Sequence, residues 1–493
     1  MRKRLWPFSL LLILCAWPLL AADDDHHHPY DRRQKLGTVS FPISCANAAQ
    51  QPFERGVALM HSFWYEEAKK QFKAIENADP NCAMIYWGEA MSLLRQLVSR
   101  PEEADLKRGS ELMRKAQAMG TKTQRESEYI GALALFYADY NKIDYEKRIE
   151  AYSRAMEKVY QHYPKDQQAA VFYALSLLTW NVDQDPLANP KKAIAILSPV
   201  FKENPNDPGA AHYLIHASDA PQLAQLGLPA ARRYAQIAPA APHALHMPSH
   251  IFARLGLWQE DIQSNLASLA AARQPSAMHV GAENQIHSME FLEYAYLQIG
   301  EDSKAEVMVA DFARIARVDV TENLRSNYFD SRIANFPAMC ALEMRRWKEA
   351  AALEAPAQVE PYNQAIAYWA RAVAAGHLRD VPAAQDAVNH YDAMVEATKK
   401  GNHAFRAKYM NTEQDGAHAW LAFAEGKNDD AIVFLRGVAD KQDVEGKGEV
   451  ALPAREMLAD MLLEMGRPED ALAGVYCECS PETLRIPTNS FHA

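Results

Sequence analysis

Alternating apolar and polar stretches of the kind that pair into sheets are nearly absent from this chain, and their scarcity excludes a sheet-based fold. Catalytic signatures are missing too. There is no GxSxG, no phosphate-binding glycine loop and no HExxH, and nothing supplies a nucleophile with its base. Basic clusters are limited to short pairs such as Lys69 and Lys70 on a chain of formal charge −11, a balance that repels phosphate backbones and argues against a nucleic-acid partner. Cysteine is scarce, with six in 493 residues, so any disulfide framework is small.

The N-terminus has the layout of an export signal over residues 1–22. Arg2, Lys3 and Arg4 precede an apolar stretch from Leu5 to Leu20, small residues Ala21 and Ala22 follow, and Asp23 to Asp25 come next. Pro7 and Pro18 interrupt that stretch, and no other segment approaches a membrane span, so a periplasmic or secreted protein without stable membrane insertion is expected after cleavage. Cleavage removes three positive charges and takes the formal charge from −11 to −14. In an oxidising compartment Cys45 and Cys82 are either a bridge or two separate buried thiols. Cys340, in the apolar run PAMCALEM, reads as core. Cys477 and Cys479 lack a second pair or a nearby histidine and make a poor zinc site.

Apolar residues at three- and four-residue spacing run from Phe53 to about Val475, which predicts an all-α protein. A second regularity lies on top of it. A loop residue is followed five positions later by alanine at Gly300 and Ala305, Gly426 and Ala431, and Gly466 and Ala471. The same register holds at Phe63 and Ala68 and at Arg345 and Ala350, and at Gly256 with Asp261 in the place of alanine.

With Gly56, Ala68, Phe72 and Pro80 as its clearest copy, and RLGLWQEDIQSN, YLQIGEDSKAE and EMGRPEDALAG as partial ones, this pattern resembles the tetratricopeptide repeat (TPR) family. Gly256 to Gly300, Gly300 to Arg345 and Gly426 to Gly466 span 44, 45 and 40 residues, above the usual ~34, so the units are degenerate or lengthened. The resemblance implies a right-handed α-solenoid over residues 51–475, after an irregular lead over 23–50 and before an irregular tail over 476–493. It also implies a concave wall of first helices that takes a peptide or protein partner. Tyr86, Trp87, Tyr129, Tyr173, Tyr213, Tyr294, Tyr328, Tyr368, Trp369 and Trp420 fall on or near first helices, and either line that wall or fill the inter-helix core.

The chemistry-bearing residues concentrate in one region. Five histidines fall between Ala211 and Ile251, in HYLIH (His212, His216) and HALHMPSH (His243, His246, His250). Asp207 and Pro208 read as a helix start, which puts His212, His216 and Asp219 at i, i+4 and i+7. The next first helix carries His246 and His250, and the one after it carries His287 and Glu290. Corresponding helices of adjacent units lie roughly 10 Å apart, so these groups are expected to converge on one wall. The ligand pool is then His212, His216, Asp219, His246, His250, His287 and Glu290, suited to zinc, iron, manganese or copper. Tyr213 stands where a metalloprotease of the HExxH type needs its glutamate, which excludes that chemistry.

Pro248 complicates the helix. Either Pro242 begins a helix that kinks at Pro248, or the helix begins near Pro248 and His246 and His250 need not share a face. Two functions are compatible with this pattern: an exported scaffold holding a peptide or protein in its groove, more binding than catalytic, or a metal-dependent enzyme or metal-binding protein using the histidine cluster. A set of packed core rings is the bland alternative to the second.

Overall fold

The computed structural model divides into two units, Met1–Gln34 and Lys35–Ala493, and the helical architecture belongs to the second. The structure describes residues 34–180, 185–274, 282–315, 326–401, 403–445 and 451–475. Residues 1–33, which include the expected export signal and the run DDDHHH, and the tail with Cys477 and Cys479 lie outside the described residues.

Residues Asn47 to Val475 form antiparallel helix pairs, beginning with Asn47–His61 and Tyr65–Ala78 and ending with Ala454–Glu464 and Pro468–Val475. The architecture is all-α, a right-handed solenoid of TPR-like helix-turn-helix units, with no strand among the described residues. The register seen in the sequence has a backbone cause. Phe63, Gly256, Gly300, Arg345, Gly426 and Gly466 all have left-handed φ, between 53° and 78°. At each of these turns the next amide bonds back toward the first helix, as in Leu257 to Phe252 O at 2.8 Å, Lys427 to Ala422 O at 2.9 Å and Arg467 to Leu462 O at 2.9 Å. This is the Schellman closure of a first helix. Five positions on, Ala68, Asp261, Ala305, Ala350, Ala431 and Ala471 are buried where the second helix crosses the first. Arg379, at φ 55°, and the buried Ala384 form a seventh copy that the sequence pattern did not reveal.

Gly426 and Gly437 separate the two uses of glycine in one helix pair. Neither has an atom within 4 Å of where a Cβ would stand, but only Gly426 is left-handed. Gly426→Ala is expected to destabilise by about 1–2 kcal/mol. Gly437→Ala, mid-helix in Asn428–Glu445, is expected to stabilise by about 0.5–1 kcal/mol. Urea midpoints moving in opposite directions would check both.

The irregular lead is part of the core. Phe41 lies at 5.4 Å from Phe53 and Trp87, 5.0 Å from Tyr129 and 6.3 Å from Phe172, four rings borne by the first helices of the first four pairs. Polar contacts run along the same segment. The Phe41 amide donates to Glu54 at 2.9 Å, the Phe41 carbonyl accepts from Gln50, and the Ser44 amide and hydroxyl both donate to Glu126. Arg125 donates to the Pro42 carbonyl while its guanidinium lies 4.5 Å from the Phe41 ring centre. Cys45 is bridged to Cys82, at the mouth of helix Ala83–Leu94, with Cα atoms 5.3 Å apart. An extended stretch of the chain itself therefore covers the first-helix wall of these four pairs. Trp87 and Tyr129 are wall residues with Phe41 against them, and Tyr86, Tyr173, Tyr213, Tyr294 and Trp420 are buried in the core. Tyr328, Tyr368 and Trp369 are half-buried. Cys340 is buried, as expected.

Candidate metal centre

Three first helices and the closing turn of the first pair build the histidine region. Asp207 caps helix Pro208–Ala217 by accepting from the Ala210 amide at 2.8 Å, and the proline sits in its first turn. Gly209 allows this helix to approach Asn47–His61 closely, since a Cβ there would stand 2.8 Å from the His61 ring. A repeat unit normally touches only its neighbours. Here the first pair returns against the fifth, and the His61 carbonyl accepts from His212 Nδ1 at 2.6 Å. His61 is fixed in turn by Tyr213 at 2.9 Å and by Gln168 at 2.8 Å, with Gln168 donating to Asp207.

Pro242 opens a short helix, Pro242–His246, and Pro248 opens another, Pro248–Arg254. Met247 joins them at φ −52° and ψ −33°, so the chain breaks its hydrogen-bond ladder at Pro248 without leaving helical geometry. His243, His246 and His250 consequently stay on one face, at i, i+3 and i+7. The kinked helix is the alternative realised.

Two groups of three imidazoles result, His212 with His216 and His243, and His246 with His250 and His287. Within each group the nitrogens lie within 4.8 Å of one another. His212 Nε2 is 3.1 Å from His216 Nε2 and 3.2 Å from His243 Nε2, and His246 Nε2 is 3.0 Å from His250 Nε2. Ring centres across the groups, 6.1 Å for His216 to His250 and 6.1 Å for His243 to His246, are no farther apart than the 6.4 Å from His216 to His243 within one. The groups are contiguous. Each has a phenylalanine against it. Phe63 lies 4.4 Å from His212 and 5.2 Å from His243, and Phe291 lies 4.8 Å from His246 and 4.9 Å from His250.

The opposite ring nitrogens are held by acceptors. His212 Nδ1 meets the His61 carbonyl, His246 Nδ1 meets Asn265 Oδ1 at 2.6 Å, and His250 Nδ1 meets Asp219 at 2.8 Å. Asn265 spends its amide group on the Asp261 carbonyl and carboxylate, so its oxygen must face His246. His287 Nδ1 donates to the Tyr328 hydroxyl at 2.7 Å, which donates to Glu290 at 3.0 Å. A neutral ring that donates from Nδ1 to such an acceptor can ligate through the inward Nε2. Burial, reinforced by neighbouring histidines, pushes His212 and His243 well below the usual imidazole range. Burial lowers His287 as well, against the raising influence of Glu290.

Five of the seven expected ligands, His212, His216, His246, His250 and His287, fall in these groups. Asp219 and Glu290 do not. Helix Pro208–Ala217 closes before Asp219, which accepts from His250 Nδ1 and from Arg254 at 2.8 Å. Glu290 is paired with Arg332 at 2.9 Å. Both carboxylates stand behind imidazoles rather than among the inward nitrogens. His243 was missing from the expected pool, although its spacing to His246 and His250 was the signal for it. Asn265, Tyr328, Phe63 and the His61 carbonyl come from distant sequence and could not have been read.

No helix among the described residues is long and apolar enough to cross a membrane. No protein-family model matches the chain, and a search of curated proteins gives no match. Among solved structures, the chain is similar to the human IFIT1 dimer with m7Gppp-AAAA at 11% identity and TM-score 0.37, over 80% of this chain and 88% of that one. An IFIT1 monomeric mutant with Gppp-AAAA matches at 11% and 0.37, over 87% and 94%. Naa15/Naa10 bound to HypK-THB matches at 12% and 0.23, over 88% and 64%. At these TM-scores the likenesses carry no argument about function.

Proposed function

We propose that this is an exported metal-binding repeat protein that holds two transition-metal ions side by side, one in each three-histidine group. The observation that carries the reading is the His246 and His250 pair. Their Nε2 atoms face each other across 3.0 Å, while His246 Nδ1 meets Asn265 and His250 Nδ1 meets Asp219. A shared cation turns that contact into a ligand pair. The Cys45–Cys82 bridge supports the export part of the reading, because such bonds persist outside the cytoplasm.

Capture of a peptide partner in the concave groove ranks behind metal binding, because the lead covers the wall of the first four pairs. Elemental analysis of the purified full chain tests the proposal. Two equivalents of metal are expected in the parent and none in a His216→Ala/His250→Ala double variant. Metal-free parent protein that resists reconstitution, with only a lowered melting temperature in the variant, would leave the packed-ring alternative standing. A finer prediction concerns orientation. Tyr328→Phe keeps the ring and removes the hydroxyl that links His287 to Glu290, and is expected to weaken binding in the second group by about 10–100-fold. The first group should be unaffected in a competitive chelator titration.

A further inference from the structure

The ends of three successive helices, Asn47–His61, Tyr65–Ala78 and Ala83–Leu94, meet at one junction that carries two sulfurs and a carboxylate. Cys45 lies two residues before the first helix, Asp79 directly follows the second and Cys82 directly precedes the third. Both sulfurs and one Asp79 oxygen lie within 4.8 Å of one another. In the bridged protein the two sulfurs are spent on each other. Once reduced they are available as ligands, and cysteine sets that are kept reduced are commonly metal-binding or catalytic.

Three features prepare this junction for an ion. Asp79 and Cys82 are separated by two residues, across a turn in which the Cys82 amide donates to the Asp79 carbonyl at 3.3 Å. That is the short ligand spacing of zinc sites, with aspartate in the place of one cysteine. The Ala46 amide donates to Asp79 Oδ2 at 3.1 Å, which orients the carboxylate and leaves Oδ1 for a metal. The Cα atoms of Cys45 and Cys82 are 5.3 Å apart. Tetrahedral zinc with sulfurs at about 2.3 Å holds them about 3.8 Å from each other, which side-chain rotation from these backbone positions can reach. Thiolates exclude magnesium and calcium, which take oxygen ligands, and a carboxylate disfavours copper(I), so zinc(II) fits the set. Three protein ligands leave the fourth position to water, and Cys45 and Asp79 are only half-buried.

We propose that the reduced protein holds one zinc(II) ion between Cys45, Asp79 and Cys82, in place of the bridge. A thiol or phosphine reductant supplies the two electrons that break the S–S bond, and each sulfur takes a proton. Zinc(II) then displaces both protons and binds the two thiolates. A small disulfide reverses the change: it takes up the two electrons and leaves as two thiols, the bridge closes and the ion is expelled. Either closure ties the lead to the first three helices.

This site is independent of the histidine groups, and cobalt(II) tells them apart, because only a thiolate ligand gives a sulfur-to-cobalt charge-transfer band in the near ultraviolet. The metal-free full chain is reduced anaerobically with a phosphine, freed of excess reagent and titrated with cobalt(II) and then zinc(II), beside the bridged chain. The reduced chain is expected to show the sulfur band, to lose it to zinc, and to retain one zinc more than the bridged chain by elemental analysis. Cys82→Ser should abolish both the band and the extra zinc. Asp79→Asn should keep the band and weaken zinc binding by more than about 10-fold. Oxidised glutathione should return the extra zinc to solution. Equal zinc in both redox states, a band that is absent or survives Cys82→Ser, or unchanged affinity in Asp79→Asn would overturn the proposal. If reduction unfolds the chain, zinc must restore its circular dichroism, and no recovery would overturn it as well. Failure of the histidine reading looks different: the bridged chain takes no metal and the reduced chain takes one ion.

Discussion

His246→Ala should abolish binding of one metal ion and spare the other. Orienting residues behind a ligand are worth about 10–100-fold in affinity, so removing a ligand from a three-histidine group should cost more than about 100-fold. The groups share the helix Pro242–His246, which bears His243 and His246, but draw their other ligands from different helices, His212 and His216 on Pro208–Ala217 and His287 on Glu283–Gln298. A deletion in one therefore leaves the other's three nitrogens in place. His212→Ala is the mirror experiment, with the added loss of its contact to the His61 carbonyl. Stoichiometry falling from two to one in each single variant, by elemental analysis, is the expected outcome. Loss of both ions from either variant would mean a single shared site.

Phe41→Ala should be the most destabilising single change outside the histidine region. The ring is fully buried among side chains from four successive first helices, and truncating a phenylalanine in such a place costs about 3–5 kcal/mol. Opening the Cys45–Cys82 bridge, which spans 37 residues, removes roughly 4 kcal/mol by the loop-entropy argument. The two changes act on one segment, so their effects should not add. Circular dichroism with urea would read both. A Phe41→Ala midpoint within error of the parent would show that the lead does not hold the first four pairs together.

The repeat frame was legible because it is written in backbone geometry. A left-handed turn and a small residue at a helix crossing are local demands, and each leaves its own mark in the sequence. Two departures from that frame lie beside the histidine groups. Phe63 replaces the turn glycine and packs on the first histidine group. Asp261 replaces the crossing alanine and, through Asn265, sets the orientation of His246. Both were visible as irregular copies, but nothing local says what an irregularity is for.

Helical phase put His216, His250 and His287 in one region, where His250 lies 6.1 Å from His216 and 5.7 Å from His287, yet it could not say on which side of an imidazole a carboxylate stands. Asp219 is held by His250 and Arg254, and Glu290 by Tyr328 and Arg332. Pro248 looked like a break in the face. Met247 keeps helical angles across the joint, and a broken ladder therefore did not mean a changed direction. The lead stayed unreadable for another reason: its contacts reach residues as distant as Asn206, 168 positions beyond Thr38, and a segment ordered by others needs no periodicity of its own.

The pairing of two ions is tested most directly by anomalous diffraction from a crystal of the metal-loaded full chain. The expected map has two peaks, one bounded by the Nε2 atoms of His212, His216 and His243 and the other by those of His246, His250 and His287. One peak ligated by Asp219 or Glu290, or no peak between histidines that remain in contact as they stand, would contradict it.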